Sequence, residues 1–205
     1  SEIWVGVSDH PLGHWRNAKE DNTPLITSDA IPGLHSIDAN CFIDDNGQIY
    51  LYWGSGWNWV NGRCFMVRLD EDMVTFLSEP QDVTPPNFFE GAFMIKRNEK
   101  YYFMYSDGKA IDHTYKIRYS TGETPLGPWV EGKHSPILQT TPDSTVYGPG
   151  HHSVFRENDQ DYILYHRIYP QDEAYVLRQL CIDSLNFDMK GNILKVSMKG
   201  IAPLK

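Results

Sequence analysis

Residues 89–106 read FEGAFMIKRNEKYYFMYS, which is a short apolar strand, a polar turn and an aromatic-rich strand. Two other segments repeat this pattern: residues 36–54 read SIDANCFIDDNGQIYLYWG, and residues 150–167 read GHHSVFRENDQDYILYHR. Tyr50, Tyr102 and Tyr162 hold matching positions, 52 and 60 residues apart. Periods near 50 residues with several short strands per copy are typical of β-propeller blades rather than of helical solenoids. The sequence therefore predicts a nearly all-β chain.

The outer half of the repeat also recurs, and it sets the predicted domain organisation. Residues 116–129 read KIRYSTGETPLGPW, and residues 2–15 read EIWVGVSDHPLGHW. We predict one partial propeller domain over residues 1–205, with full blades at 36–84, 89–140 and 149–197 and a half blade at 1–27. A half blade leaves unpaired backbone groups at its edge. We therefore expect about 75–100 further residues, from a second polypeptide or an N-terminal fragment, to complete the ring.

Composition limits the partners. The chain has 27 acidic and 18 basic residues and a formal net charge of −9. This balance disfavours nucleic acid, whose phosphates require clustered Lys and Arg, and it disfavours anionic membrane surfaces. No apolar run approaches the roughly 18 residues of a membrane span. A neutral ligand is compatible with these features.

Three chemically active residues stand near the starts of the three repeats: Asp38, Glu90 and His151. In a propeller the innermost strand of each blade lines the axis, so we expect these side chains to converge. Paired carboxylates in a shared pocket suit glycoside hydrolysis. Glu90 is the better candidate for the general acid, because neighbouring phenylalanines disfavour its charged form. Asp38 is the candidate for the carboxylate that tunes the pKa of Glu90.

Other residues are candidate ligands, each with a structural alternative. His151 and His152 are adjacent and would face opposite ways on a strand, so one could face the axis as a sugar or metal ligand. Arg178 interrupts an apolar strand and could pair with a carboxylate in the pocket, or be an exposed strand residue. Trp53 and Trp57 could stack on sugar rings, or pack between blades.

These motifs resemble glycoside hydrolase family 43, the five-bladed β-propeller enzymes that include β-xylosidases and α-L-arabinofuranosidases. The resemblance rests on residues 36–47, residues 89–97, residues 148–155 and the segment 178–193, in that order along the chain. It implies that this chain supplies about three and a half of five blades. It also implies a glycosidase that acts on small oligosaccharides from hemicellulose, at terminal xylosyl or arabinofuranosyl residues, and needs no organic cofactor.

The resemblance also implies a role for each candidate. Glu90 is similar to the family's general acid, Asp38 to its pKa modulator, and Arg178 to the arginine beside acid and sugar. His151 resembles the axial histidine that in many members helps to hold a calcium ion through waters. His152, Trp53 and Trp57 are expected to bind substrate.

The resemblance further implies an inverting mechanism in which a third carboxylate activates water. Residues 1–27 hold no equivalent of that base, so we expect it to lie outside this chain and the chain alone to have little or no activity. The alternatives are a non-catalytic sugar-binding propeller and a purely structural propeller.

Overall fold

The computed structural model describes residues 1–169 and 177–198, and these contain strands and turns but no helix. The prediction of an all-β chain is confirmed. Within the same residues, no helix is long and apolar enough to cross a membrane.

The described residues contain thirteen strands in four antiparallel sheets, and within each sheet consecutive strands are neighbours. The N-terminal sheet has two strands, β1 (Gly6–Val7) and β2 (Arg16–Asn17). The first sheet comprises β3 (Asn40–Ile43), β4 (Ile49–Trp53), β5 (Phe65–Leu69) and β6 (Gln81–Asp82). The second sheet comprises β7 (Glu90–Arg97), β8 (Lys100–Asp107), β9 (Lys116–Gly122) and β10 (Val130–Glu131). The third sheet comprises β11 (Gly150–Glu157), β12 (Gln160–Ile168) and β13 (Arg178–Leu185).

Both faces of the central strands β4 and β8 are buried, because the first and second sheets each pack against a sheet on either side. Along β8, Phe103 and Tyr105 enter the apolar cluster shared with the first sheet. Tyr102 and Met104 point the other way, into the cluster shared with the third sheet. Side chains alternate across a strand, so a run of aromatic residues fills two interfaces at once. This explains why the second strand of each repeat is so rich in tyrosine and phenylalanine.

Tight turns join the inner strands. Asn98 and Glu99 connect β7 to β8 with φ of 49° and 58°, and Asn158 and Asp159 connect β11 to β12 with φ of 47° and 62°. Positive φ at both central residues is the geometry of a two-residue hairpin whose twist matches that of the strands. Asn and Asp tolerate this left-handed backbone better than most residues.

A buried ion pair joins the first sheet to the second. Asp44, in the turn after β3, accepts hydrogen bonds from the hydroxyl of Tyr101 at 2.6 Å and from Nζ of Lys96 at 2.9 Å. Burial alone would raise the pKa of Asp44, but bonds from Tyr101, Lys96 and the Asp45 amide outweigh burial and lower it. The ionised carboxylate of Asp44 therefore fixes this turn to the second sheet.

We predict that Asp44→Asn lowers the free energy of unfolding by about 2–4 kcal/mol at pH 7, because Lys96 loses its buried partner. The pKa of Asp44 is lower in the folded chain, so its contribution is present above the unfolded value of about 3.9 and is lost as pH falls through the folded value. Urea unfolding at several pH values measures this effect. Asp45→Asn, at an exposed partner of Lys96, is the control and should cost at most about 1 kcal/mol.

Candidate active site

A left-handed residue near the start of each inner strand turns the backbone toward one place. Asp38 has φ of 57°, Gly91 of 66° and His151 of 44°. In the second and third sheets this residue lies in a register break, between Glu90 and Phe93 and between Gly150 and Ser153. Asp38, Gly91 and His151 are thus equivalent, and Glu90 precedes its equivalent by one residue. All three candidate residues therefore lie near the starts of their repeats, but Glu90 does not hold the same repeat position as Asp38 and His151.

The three predicted side chains nevertheless come together. Ligand atoms of Asp38, Glu90 and His151 all lie within 4.8 Å of one another. His151 Nδ1 lies 3.9 Å from Oδ2 of Asp38. One carboxylate is buried, one is partly buried, and the imidazole is the most exposed of the three groups. The arrangement places two carboxyl groups and an imidazole in one site.

Glu90 is held as a hydrogen-bond acceptor in a buried position. Its Oε1 accepts a hydrogen bond from the hydroxyl of Tyr115 at 2.6 Å, and Ser55 Oγ donates to its Oε2 at 3.4 Å. Burial raises the pKa of Glu90, and the nearby charge of Asp38 raises it further, against the lowering effects of Tyr115, His151 and Ser55. A carboxyl whose pKa is raised in this way can carry the proton that a general acid donates.

Asp38 is also poorly solvated. Burial raises its pKa, while the positive form of His151 and the backbone amide of Gly91 act in the opposite direction. Its Oδ2 is buried and has no hydrogen-bond partner among the described residues. Two acids with raised pKa values side by side cannot both ionise easily, which is the electrostatic basis for one tuning the other.

A pocket of about 290 Å³ opens beside Glu90. It is lined by His35, Ile37, Ser55, Gly56, Trp57, Asn58, Trp59, Phe89 and Glu90. Trp57 is 53% exposed, and its ring stacks on His35 at 4.1 Å between centroids and 19° between planes. A flat, exposed aromatic face beside polar groups is a surface on which the C–H face of a sugar can pack.

Two predicted substrate ligands lie in the core instead. Trp53 is 1% exposed and packs against Phe65 with ring centroids 6.2 Å apart. His152 is buried against Phe93, and burial, followed by the proximity of His151, lowers its pKa to about 3. Neither side chain offers a surface to a sugar, so these two assignments are corrected. Both residues follow the strand alternation into an interface between sheets.

Arg178 begins β13, and its Nη2 donates to the carbonyl of Ala110 at 3.2 Å. Among the described residues no carboxylate lies within 4.0 Å of it, so the expected pairing with a carboxylate is absent there. Its charge contributes, after burial, to lowering the pKa of His166 to about 4. His166 stacks on Tyr115, which is hydrogen-bonded to Glu90. Arg178 therefore lies close to a residue that packs behind the acid. Its predicted contact with substrate stays a prediction.

The donor set does not suit a cation bound directly by the three clustered groups. Calcium takes six to eight oxygen ligands, whereas Asp38, Glu90 and His151 offer two carboxylates and a nitrogen. A divalent cation there would also lower the pKa of Glu90, against the need of a general acid. The predicted water-mediated calcium at the axis, with His151 as anchor, stays a prediction.

Sequence reasoning missed three residues that contact the acid or its pocket: Ser55, Tyr115 and His35. Ser55 and His35 form an isolated bridge between segments that lie just outside the inner strands. Tyr115 precedes β9, in the turn stabilised by Asp112. None of these residues lies at the start of a repeat. Identifying them would have required knowing which distant segments of the chain pair.

Comparison with known proteins gives one consistent result. The family model described as glycosyl hydrolases family 43 matches residues 1–193. The chain belongs to this family. It is 37% identical to a protein of Aspergillus niger named beta-D-galactofuranosidase xynD, over 95% of this chain. It is 28% identical to a xylosidase/arabinosidase of Bacteroides ovatus, over 96% of this chain.

The crystal structure of a thermostable family-43 glycoside hydrolase has a TM-score of 0.79 and 31% identity to this chain, and the match covers all of this chain and 69% of that one. Solved structures of the family are β-propellers, and this chain shares their fold. The chain spans 56% of the Aspergillus relative and 66% of the Bacteroides relative.

We predict that Glu90→Gln stabilises the folded chain at pH 7. The pKa of Glu90 is raised on folding, so its stabilising contribution is present below the unfolded value of about 4.3 and is lost as pH rises through the folded value. The gain from glutamine should therefore shrink toward zero below about pH 4. Thermal unfolding from pH 3 to 8 measures it, and the exposed Glu123→Gln is the control. Equal melting temperatures of wild type and Glu90→Gln at pH 7 would contradict a raised pKa of Glu90 in the folded chain.

Proposed function

We propose that this chain supplies the general acid and its tuning carboxylate to an inverting glycoside hydrolase that removes terminal xylosyl or arabinofuranosyl residues from hemicellulose. The observation that carries the proposal is the buried Glu90, whose pKa is raised by burial and by Asp38, at the edge of a pocket with an exposed aromatic face. Glu90 donates its proton to the glycosidic oxygen as the bond from that oxygen to the anomeric carbon breaks. Water adds to the opposite face, and its proton passes to a separate base.

The short distance between the two carboxylates argues against Asp38 as that base. Inverting enzymes hold acid and base about 6.5–9.5 Å apart, which leaves room for the attacking water. Oxygens of Asp38 and Glu90 lie within 4.8 Å. Asp38 therefore fits the role of pKa modulator, and the base is a third carboxylate.

We propose that residues outside these 205 supply the base and complete the propeller, on the same longer polypeptide or on a second one. Two observations support this. The chain spans only 56–66% of the relatives. Leu180 and Ile182 lie on the outer strand of the third sheet and are 67% and 54% exposed. In the first and second sheets, apolar faces of this kind are buried against a neighbouring sheet.

The relatives favour a neutral sugar as substrate. One is named a xylosidase/arabinosidase and another a galactofuranosidase, and all three sugars lack charge. In the described residues no Lys or Arg lies within 4.0 Å of Glu90 or Asp38, where an anionic sugar would need a partner. The choice between xylose and arabinofuranose depends on the rest of the pocket.

Azide tests the proposed division of labour, because an anionic nucleophile needs no base. We predict that the 205-residue chain hydrolyses nitrophenyl β-xyloside or α-arabinofuranoside slowly, and that azide accelerates nitrophenol release and yields a glycosyl azide of inverted configuration, identified by NMR. Restoring the base in a complete enzyme should raise the water reaction by about 10²–10⁴-fold. A retained product would instead make Asp38 a nucleophile and would sink the inverting proposal.

Leaving-group dependence serves as the control for Glu90. Glu90→Gln should abolish azide-dependent cleavage of unactivated phenyl glycosides and affect the dinitrophenyl glycosides far less, because only the poor leaving group needs a proton. An equal loss for both would assign Glu90 a role other than acid.

A sugar-binding propeller is the second candidate, favoured by the exposed Trp57 stacked on His35. In both candidates Trp57→Ala should weaken binding of xylobiose or arabinobiose by about 2–12-fold, the value of one aromatic contact. Titration calorimetry measures this. The control is Trp15→Ala, at an exposed tryptophan just before β2. Binding without azide-dependent turnover would favour the second candidate. Unchanged affinity in Trp57→Ala would remove this pocket from both.

A further inference from the structure

A buried tyrosine is hydrogen-bonded to the acid, and a buried serine hydroxyl binds the backbone at the neighbouring His151. The backbone amide of His151 donates to Oγ of Ser106 at 2.9 Å. The hydroxyl of Tyr115 donates to Oε1 of Glu90 at 2.6 Å. Ser106 and Tyr115 are fully buried, so water does not compete with these bonds.

The direction of the bond to Glu90 follows from the phenol itself. Burial and the neighbouring Glu90 raise the pKa of Tyr115 well above its usual value, so the phenol keeps its proton. The hydrogen-bond partner of this hydroxyl among the described residues is Oε1 of Glu90, and a buried donor that lost this acceptor would be left unsatisfied. The phenol therefore donates to Glu90.

The ring of Tyr115 cannot easily leave this position. It lies against Gly150, where a Cβ atom would come within 1.8 Å of the ring. On another side His166 stacks on it at 5.7 Å between centroids and 15° between planes. Gly150 is thus small so that the tyrosine can approach, and the direction of the phenol is set by packing as well as by hydrogen bonds.

We propose that Tyr115 is a positioning residue, which keeps Oε1 of Glu90 as an acceptor and thereby places the acidic proton on Oε2, facing the pocket of Trp57 and His35. If the proton were on Oε1, it would meet the proton of Tyr115 head-on. Oε2 has only the long contact to Ser55 Oγ, which itself lines the pocket. The leaving group therefore receives its proton on the Trp57 side. This inference rests on the proposed role of Glu90 as general acid.

Infrared spectroscopy tests the assignment without turnover. In the protonated acid, Oε1 is the carbonyl oxygen, and a hydrogen bond from Tyr115 lowers its stretching frequency. The Glu90 band is identified by its absence in Glu90→Gln. We expect Tyr115→Phe to shift this band to higher frequency, and Tyr165→Phe to leave it in place. Tyr165 is the matched control, because it is a buried tyrosine that donates to Asp183 at 2.8 Å in another sheet. A Glu90 band at the wild-type frequency in Tyr115→Phe would overturn the proposal.

Ser55→Ala keeps the test decisive if Tyr115→Phe does not fold. The Ser55 hydroxyl contacts Oε2, which carries the proton in the proposed arrangement, so the carbonyl band should stay near its wild-type frequency. A shift of the band to higher frequency would make Oε2 the carbonyl oxygen and would overturn the proposal. Because both readouts are spectroscopic, a shifted band in a chain that shows no glycosidase activity would separate a failure of the proposed function from a failure of this inference.

Kinetics in an enzyme complete with its base supply a second readout. Tyr115→Phe should lower kcat more than it raises KM, and the loss should grow as the leaving group becomes poorer. A loss that is equal for good and poor leaving groups would reduce Tyr115 to a structural residue.

Discussion

The site depends on one backbone constraint, the left-handed residue near the start of each inner strand. At Asp38, Gly91 and His151 the chain leaves the extended conformation for φ between 44° and 66°. For the two residues with a side chain this conformation is uncommon, and such strain is kept only where the surroundings enforce it. Here the turn carries functional groups out of the sheet plane and toward their counterparts. Gly91 bears no side chain, so it adopts this left-handed conformation without strain.

The alternation of the strands could be predicted from the sequence, and the register breaks could not. Six consecutive buried residues of β8, Tyr101 to Ser106, four of them aromatic, require an interface on both faces, so the layered architecture follows from period two alone. A register break adds a residue without changing that pattern. This is why the convergence of Asp38, Glu90 and His151 was predictable, while the one-residue offset of Glu90 was not.

The same reasoning separates Trp53 from Trp57. Trp53 ends β4 in register with Phe65, so the alternation sends it into the core. Gly54 then takes a φ of 123° and ends the strand, and Trp57 lies beyond it on the surface. Composition alone treats both as aromatic residues near the acid. Only the position of the strand end distinguishes a packing residue from one that can meet a ligand.

Strand β7 keeps its cations away from its acid. Lys96 and Arg97 lie at the far end of the strand from Glu90, where they bind Asp44 and Asp161 and join the second sheet to both of its neighbours. Six residues of strand separate Lys96 from Glu90 by about 20 Å, which is beyond the Debye length of about 8–10 Å. A cation close to Glu90 would lower the pKa that burial and Asp38 raise. The ion pairs that hold the sheets together can therefore be strong without weakening the acid, because the length of one strand separates the two tasks.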